Sequence, residues 1–151
     1  MPTVTTAVKF GTIYTMSIRQ SESTEHESTE SDPTLEADVF AKNCTSRPVL
    51  QNVAGRWGIL ALVALRESPY RFGALRRRVD GVSERMLSQT LQALERDGMV
   101  HRTVHETIPP HVEYTLTELG AQVAAQLEGL VQVIERNMDR VREAQADYHR
   151  A

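Results

Sequence analysis

The 151-residue chain has a single cysteine, Cys44. One thiol excludes an intrachain disulfide and a multi-thiolate zinc site, and it leaves burial, reactivity or pairing with another chain. Long apolar runs are missing as well. The longest, residues 59–65, falls far short of the roughly 20 residues that a membrane helix needs. The N-terminus offers Lys9 and Arg19 but no apolar block of secretion-signal length, so a cytoplasmic chain with no membrane contact is expected. No serine lies in a G-x-S-x-G context, and the glycines form neither a P-loop nor a dinucleotide fingerprint. His101 and His105 have the four-residue spacing of helical metal ligands, but on a strand they stand about 13 Å apart. No metal, no other cofactor and no catalytic constellation is expected, and the chain reads as a non-enzyme.

What is present suffices for one modest core: 40% of the residues are hydrophobic and 25% charged. The formal charge of −3 is spread unevenly. Residues 1–43 carry 3 basic against 7 acidic side chains, residues 117–151 carry 4 against 6, and residues 44–116 carry 10 against 7. A basic centre between acidic flanks permits binding of a polyanion at one face, because salt screens the flanks beyond about 8 Å. Residues 17–33 are polar, acidic and too poor in apolar surface to offset their ordering entropy. Residues 1–33 are therefore expected to form a disordered acidic tail, and a start at Met16 would leave the rest intact. One domain over residues 34–145 and a frayed tail at 146–151 complete the expected layout.

Leu35, Val39 and Phe40 fit a short helix ending near Asn43. Pro48 suits the first turn of a second helix, in which Leu50, Val53, Trp57, Leu60, Ala61 and Ala64 recur at helical spacing to about Arg66. Residues 70–72 read as a short extended piece, and a third helix over residues 73–80 stops at Gly81. Ser83 as N-cap and Glu84 as first-turn acid open a fourth helix that ends at Asp97-Gly98. Residues 99–105 and 112–115 are strand-like and flank a tip containing Pro109-Pro110. Thr117 caps a last helix, expected to run unbroken to about Gln145 and to be roughly 40 Å long. One small domain cannot cover such a seam, so it wants a second copy. The order is that of a winged helix-turn-helix, mainly α with a small β-hairpin wing.

At about 100° per residue, Leu87, Leu91 and Leu94 share one sector of the fourth helix, and Arg85, Gln89, Gln92 and Arg96 share the opposite one. Ser88 lies beside the polar sector. In a major groove Arg can fork onto guanine and Gln onto adenine, with the N-terminal end of the helix reaching base edges. Arg85, Ser88 and Gln89 are the expected base readers, with Gln92 nearer the backbone. Ser83, Arg71, Arg76, Arg77, Arg102 and His105 are the expected backbone contacts. Three consecutive arginines point in different directions, so at least one is expected to turn to Asp80 or Glu84. The competing readings are an ordinary solvated face, or a winged helix that binds protein without DNA specificity.

Several short stretches carry a more specific signal. They are Cys44 with Pro48 and Leu50, Gly55-Arg56-Trp57, Arg71-Phe72-Gly73-Ala74-Leu75, Gly81-Val82-Ser83, Met86-Leu87-Ser88, Asp97-Gly98-Met99-Val100, Pro109-Pro110, Val112-Glu113-Tyr114 and Leu116-Thr117 with Gly120. Over residues 44–134 these resemble the HxlR family of bacterial winged-helix regulators. Arg78 and Val79 depart from the family's isoleucine-like core pattern, and Arg56 replaces a frequent lysine. The resemblance implies a homodimeric transcription regulator that binds a pseudo-palindromic operator in double-stranded DNA. It also implies a dimer contact made by the terminal helices, for which Leu35, Val39, Phe40, Leu127, Leu130, Ile134, Met138 and Val141 are the candidates. Several family members sense oxidants or electrophiles through a cysteine placed as Cys44 is, which implies a small-molecule or oxidant effector. Cys44 lies between Lys42 and Arg47 and just before a helix N-terminus, and both features lower a thiol pKa. Its alternative role is that of a small buried residue at the dimer contact.

Overall fold

The computed structural model describes residues 38–150 as one unit and, within a separate N-terminal unit, the backbone of two strands. In the latter, β1 (Thr6–Lys9) and β2 (Thr12–Thr15) pair antiparallel, Thr6 opposite Thr15 and Lys9 opposite Thr12. The aperiodic apolar residues of that block carry no sequence signal for this pairing. The acidic run 17–33 and Leu35 lie outside the described residues.

Residues 38–45 form turns where a short helix was expected. The Asp38 carboxylate accepts from the Phe40 N–H at 2.9 Å, and Arg47 donates to the carbonyls of Val39 and Phe40 at 2.6 and 3.0 Å. Side chains thus take the backbone groups that a helix would have paired. Beyond the turns, α1 (Ser46–Ala54) and α2 (Arg56–Glu67) replace the single helix expected over residues 48–66, with 70° between them. The elbow is tight, because a Cβ at Gly58 would stand 1.9 Å from the Asn52 carbonyl oxygen. Val53 of α1 and Ala61 and Ala64 of α2 enter one core, whereas Leu50 and Leu60 of the same apolar period are exposed.

Next come β3 (Tyr70–Arg71), α3 (Phe72–Arg78), α4 (Glu84–Arg96), β4 (Val100–His105) and β5 (His111–Leu116). The strands form one antiparallel sheet in the order β3-β5-β4, with Tyr70 opposite Tyr114 and Val100 opposite Leu116. The isolated extended piece is therefore a third strand, recruited by a partner more than forty residues away. Gly81 and Gly98 adopt φ of +84° and +74°, the left-handed turns that close α3 and α4 and favour glycine.

The last segment is α5 (Glu118–Arg136) followed by α6 (Met138–Arg150). Thr117 caps α5 as expected, its Oγ accepting from the Gly120 N–H at 2.9 Å and donating to the Gly98 carbonyl at 2.7 Å. The expected unbroken helix is interrupted at Asn137. The Asn137 side-chain amide donates to the Val133 carbonyl at 2.7 Å, while its N–H tightens onto the Ile134 carbonyl at 3.0 Å. The side chain occupies the acceptor that the helix would have used, and helices bend at such substitutions. Helical backbone then continues to Arg150, past the point at 146 where fraying was expected.

One core holds this unit together. Leu62 of α2, Leu75 of α3, Leu87, Leu91 and Leu94 of α4, and Val100 of β4 are fully buried. Burial of side chains of this size is worth about 1.5–3 kcal/mol each. Ala61 and Ala124, both with no exposed surface, belong to the same core and lie on α2 and α5, helices that pack together. The architecture is a winged helix-turn-helix: α3, the Gly81 turn and α4 form the motif, and β4 with β5 form the wing. No single helix among the described residues is long and apolar enough to cross a membrane.

Candidate nucleic-acid interface

Helix α4 is oriented by its ends and its buried side. Ser83 stands extended at φ −74°, ψ 155°, and its Oγ accepts from the Met86 N–H at 3.2 Å, a cap worth about 1 kcal/mol. The three leucines anchored in the core turn the opposite sector outward, leaving Arg85, Gln89, Gln92 and Arg96 exposed and Ser88 half-buried. Arg96 is drawn back to Asp97 at 3.2 Å. Arg85 has no carboxylate within ion-pairing distance among the described residues. The outward face thus presents one unpaired guanidinium and two amides in a row, the donor and acceptor set that can read purine edges.

The cationic neighbours divide more sharply than the sequence suggests. Arg76 pairs with Glu84 at 2.8 Å, one of the two partners expected for the arginine triplet. Arg78 makes two bonds to the carboxylate of Glu67, a partner eleven residues away on another helix. That guanidinium holds the Glu67 carboxyl below the usual carboxylate range. Arg77 and Arg71 are exposed and have no acidic partner among the described residues.

On the wing, the register separates residues that the sequence groups together. Arg102 stands opposite Tyr114 and shares the face of Val100, whereas His101, His105 and His111 lie on the other face. His105, an expected backbone contact, is partly engaged by neighbours within the wing. Its ring stacks on His111 with centroids 4.7 Å apart, and its Nε2 is buried 3.7 Å from the Glu113 carboxylate without a hydrogen bond. The side chain as a whole nevertheless keeps 38% of its surface exposed. Arg102 is exposed.

Cys44 is buried, only 5% exposed, with its Sγ 2.9 Å from the Ser46 hydroxyl. That hydrogen bond holds the thiol below its ordinary pKa against the opposing effect of burial, and the backbone amides of Ser46 and Arg47 add to the lowering. Two causes were expected, the helix N-terminus and the charges of Lys42 and Arg47, and the Ser46 and Arg47 amides at the start of α1 agree with the first. The second is not among the causes, and the Arg47 guanidinium is occupied by the Val39 and Phe40 carbonyls.

The terminal helices leave apolar surface uncovered. Leu130, Val133 and Ile134 of α5 are about half exposed, and Tyr148 of α6 is 81% exposed. Val133, Ile134 and Tyr148 border a groove that also takes in Asn137 and Val141. Of the expected contact residues, Phe40 is exposed, and Val39, Met138 and Val141 are half-buried. Leu127 is the exception: it is 9% exposed and packed in the core of its own domain, so it is not available to a second copy. Among the described residues no cluster of three or more histidine, cysteine or acidic side chains could hold a metal ion.

These features agree with the comparisons with known proteins. A family model described as HxlR-like helix-turn-helix matches residues 52–142. YtfH of Escherichia coli (strain K12), named as an HTH-type transcriptional regulator, is 53% identical over 106 residues, which is 70% of this chain and 84% of that protein. Among solved structures, ytfH from Salmonella typhimurium, named as a transcriptional regulator, is 50% identical with a TM-score of 0.69 over 72% of this chain and 97% of that one. The redox regulator HypR in its oxidized form is 33% identical with a TM-score of 0.57, over 62% of this chain and 97% of its own. The chain belongs to the HxlR-like helix-turn-helix family.

Proposed function

We propose that the chain is a transcription regulator that reads a pseudo-palindromic operator in double-stranded DNA as a homodimer. The observation that carries this reading is the uncovered outward face of α4, where Arg85, Gln89 and Gln92 stand exposed on a helix oriented by three buried leucines. Arg85, Ser88 and Gln89 reach base edges, and Gln92 lies nearer the backbone. Ser83, Arg71, Arg77 and Arg102 meet phosphates, while Arg76 holds Glu84 in place. A second copy covers the apolar groove of α5 and α6, so that two α4 helices face successive turns of the major groove.

The chain's likeness to the redox regulator HypR and the lowered thiol pKa support Cys44 as an oxidant-responsive group. With one cysteine per chain, oxidation either joins two subunits through Cys44 or leaves a reversible adduct on it.

A gel-shift of the DNA upstream of the chain's own gene, with and without oxidant, tests both parts. The parent chain should bind, and oxidant should weaken binding in the parent but not in Cys44→Ser. Arg85→Ala and Gln89→Ala should each lose about 1–3 kcal/mol of operator binding. Binding that ignores these two substitutions, or shows no salt dependence, would leave a protein-contact module in place of a DNA reader.

A further inference from the structure

The Gly55-Arg56-Trp57 stretch has no part in the reading so far, yet it lies directly beside α4. Gln51, Arg56 and Trp57 of the α1–α2 elbow form one wall of a cleft, and Gln89, Thr90 and Ala93 of α4 form the other. The elbow is rigid for two independent reasons. Its backbone closes so tightly that Gly55 and Gly58 leave no room for a Cβ, at 2.8 Å from the Gln51 carbonyl oxygen and 1.9 Å from that of Asn52. The Asn52 side-chain amide also donates to the Asp97 carboxylate at 2.7 Å, tying the elbow to the C-terminal end of α4.

On this platform Arg56 is exposed, and its guanidinium lies over the Trp57 ring at 4.4 Å from the centroid. That stacking positions the cation without neutralising it. No carboxylate lies within ion-pairing distance of Arg56 among the described residues. A helix about 10–12 Å across fills a major groove about 12 Å wide, so whatever flanks its outward face meets a sugar-phosphate strand. We infer that Arg56, held by Trp57, binds a phosphate of the strand running along the Gln89 side of α4. Arg56 is thus a sequence-independent anchor that helps set the depth and register of the reading helix.

This rests on α4 lying in the groove, so the test separates the two. The full chain is titrated at several salt concentrations with two probes, a mixed-sequence duplex and the duplex from upstream of its own gene. Arg56→Met keeps the aliphatic stem on Trp57 and removes the charge. It should weaken binding to both duplexes by a similar factor, on the order of tenfold, and flatten the plot of log affinity against log salt by about one ion. Arg56→Lys should keep the slope. Trp57 is the chain's sole tryptophan, so its emission should change on addition of either duplex. An Arg56→Met chain that melts like the parent and binds with unchanged affinity and slope, while Arg85→Ala loses operator binding, would overturn the anchor and leave the reading helix standing. Failure of the parent to bind either duplex would overturn both.

Discussion

At the scale of single residues, the decisive quantity is which polar groups are already occupied. Arg76, Arg78 and Arg85 are the same side chain within ten positions, yet Glu84 and Glu67 hold the first two and the third is unpaired among the described residues. Exposed ion pairs contribute little stability. Their consequence is for function, because each removes a cation from the set that a phosphate can recruit. Cys44 shows the same logic with a proton. The Ser46 hydroxyl and nearby amides favour the thiolate, so ionised Cys44 contributes stability that is complete above the ordinary thiol pKa and is lost as pH falls through the lowered folded value. The rate of alkylation by iodoacetamide should therefore rise with a midpoint below that of an ordinary thiol. Ser46→Ala should move the midpoint up, and its melting temperature should fall further below the parent's at high pH than at neutral pH. Identical midpoints would show that Ser46 does not act on the thiol.

At the scale of elements, the joins carry more information than the elements. Five expected helices or strands appear close to their predicted places because the apolar period and the caps are local signals: Ser83 and Thr117 each cap the helix that their sequence context predicts. The bend at Gly55, the break at Asn137 and the recruitment of β3 are not local in this way. The start of α5 is a join that the structure makes testable. The Thr117 N–H donates to the Met99 carbonyl at 3.0 Å, and a Cβ at Gly120 would stand 1.9 Å from that same oxygen. Gly120→Ala must push α5 off the base of β4. A loss of about 1–3 kcal/mol is expected, as for overpacked cores, read as a lower midpoint in urea. An unchanged midpoint would mean that α5 sits less closely on β4 than the structure has it.

At the scale of the whole molecule, one domain closes its core but leaves the apolar faces of α5 and α6 open to solvent, and that asymmetry is the physical case for a second copy. Replacing both Val133 and Ile134 with Asp should yield a monomer in sedimentation while the circular dichroism of the domain stays native. If the doubly substituted chain still sediments as a dimer, the contact lies elsewhere. By itself the amino-acid sequence determined the winged helix-turn-helix order, the leucine side of α4 and the polar residues opposite it. Those follow from periodicity and capping, which each segment expresses alone. Only the tertiary structure decided that Leu127 belongs to its own core, that His105 stacks on His111, that Arg102 and His105 occupy opposite faces of the wing, and that Arg56 stands beside α4. Each depends on a neighbour brought in by folding from another element, and no pattern within a segment encodes which distant side chain will arrive there.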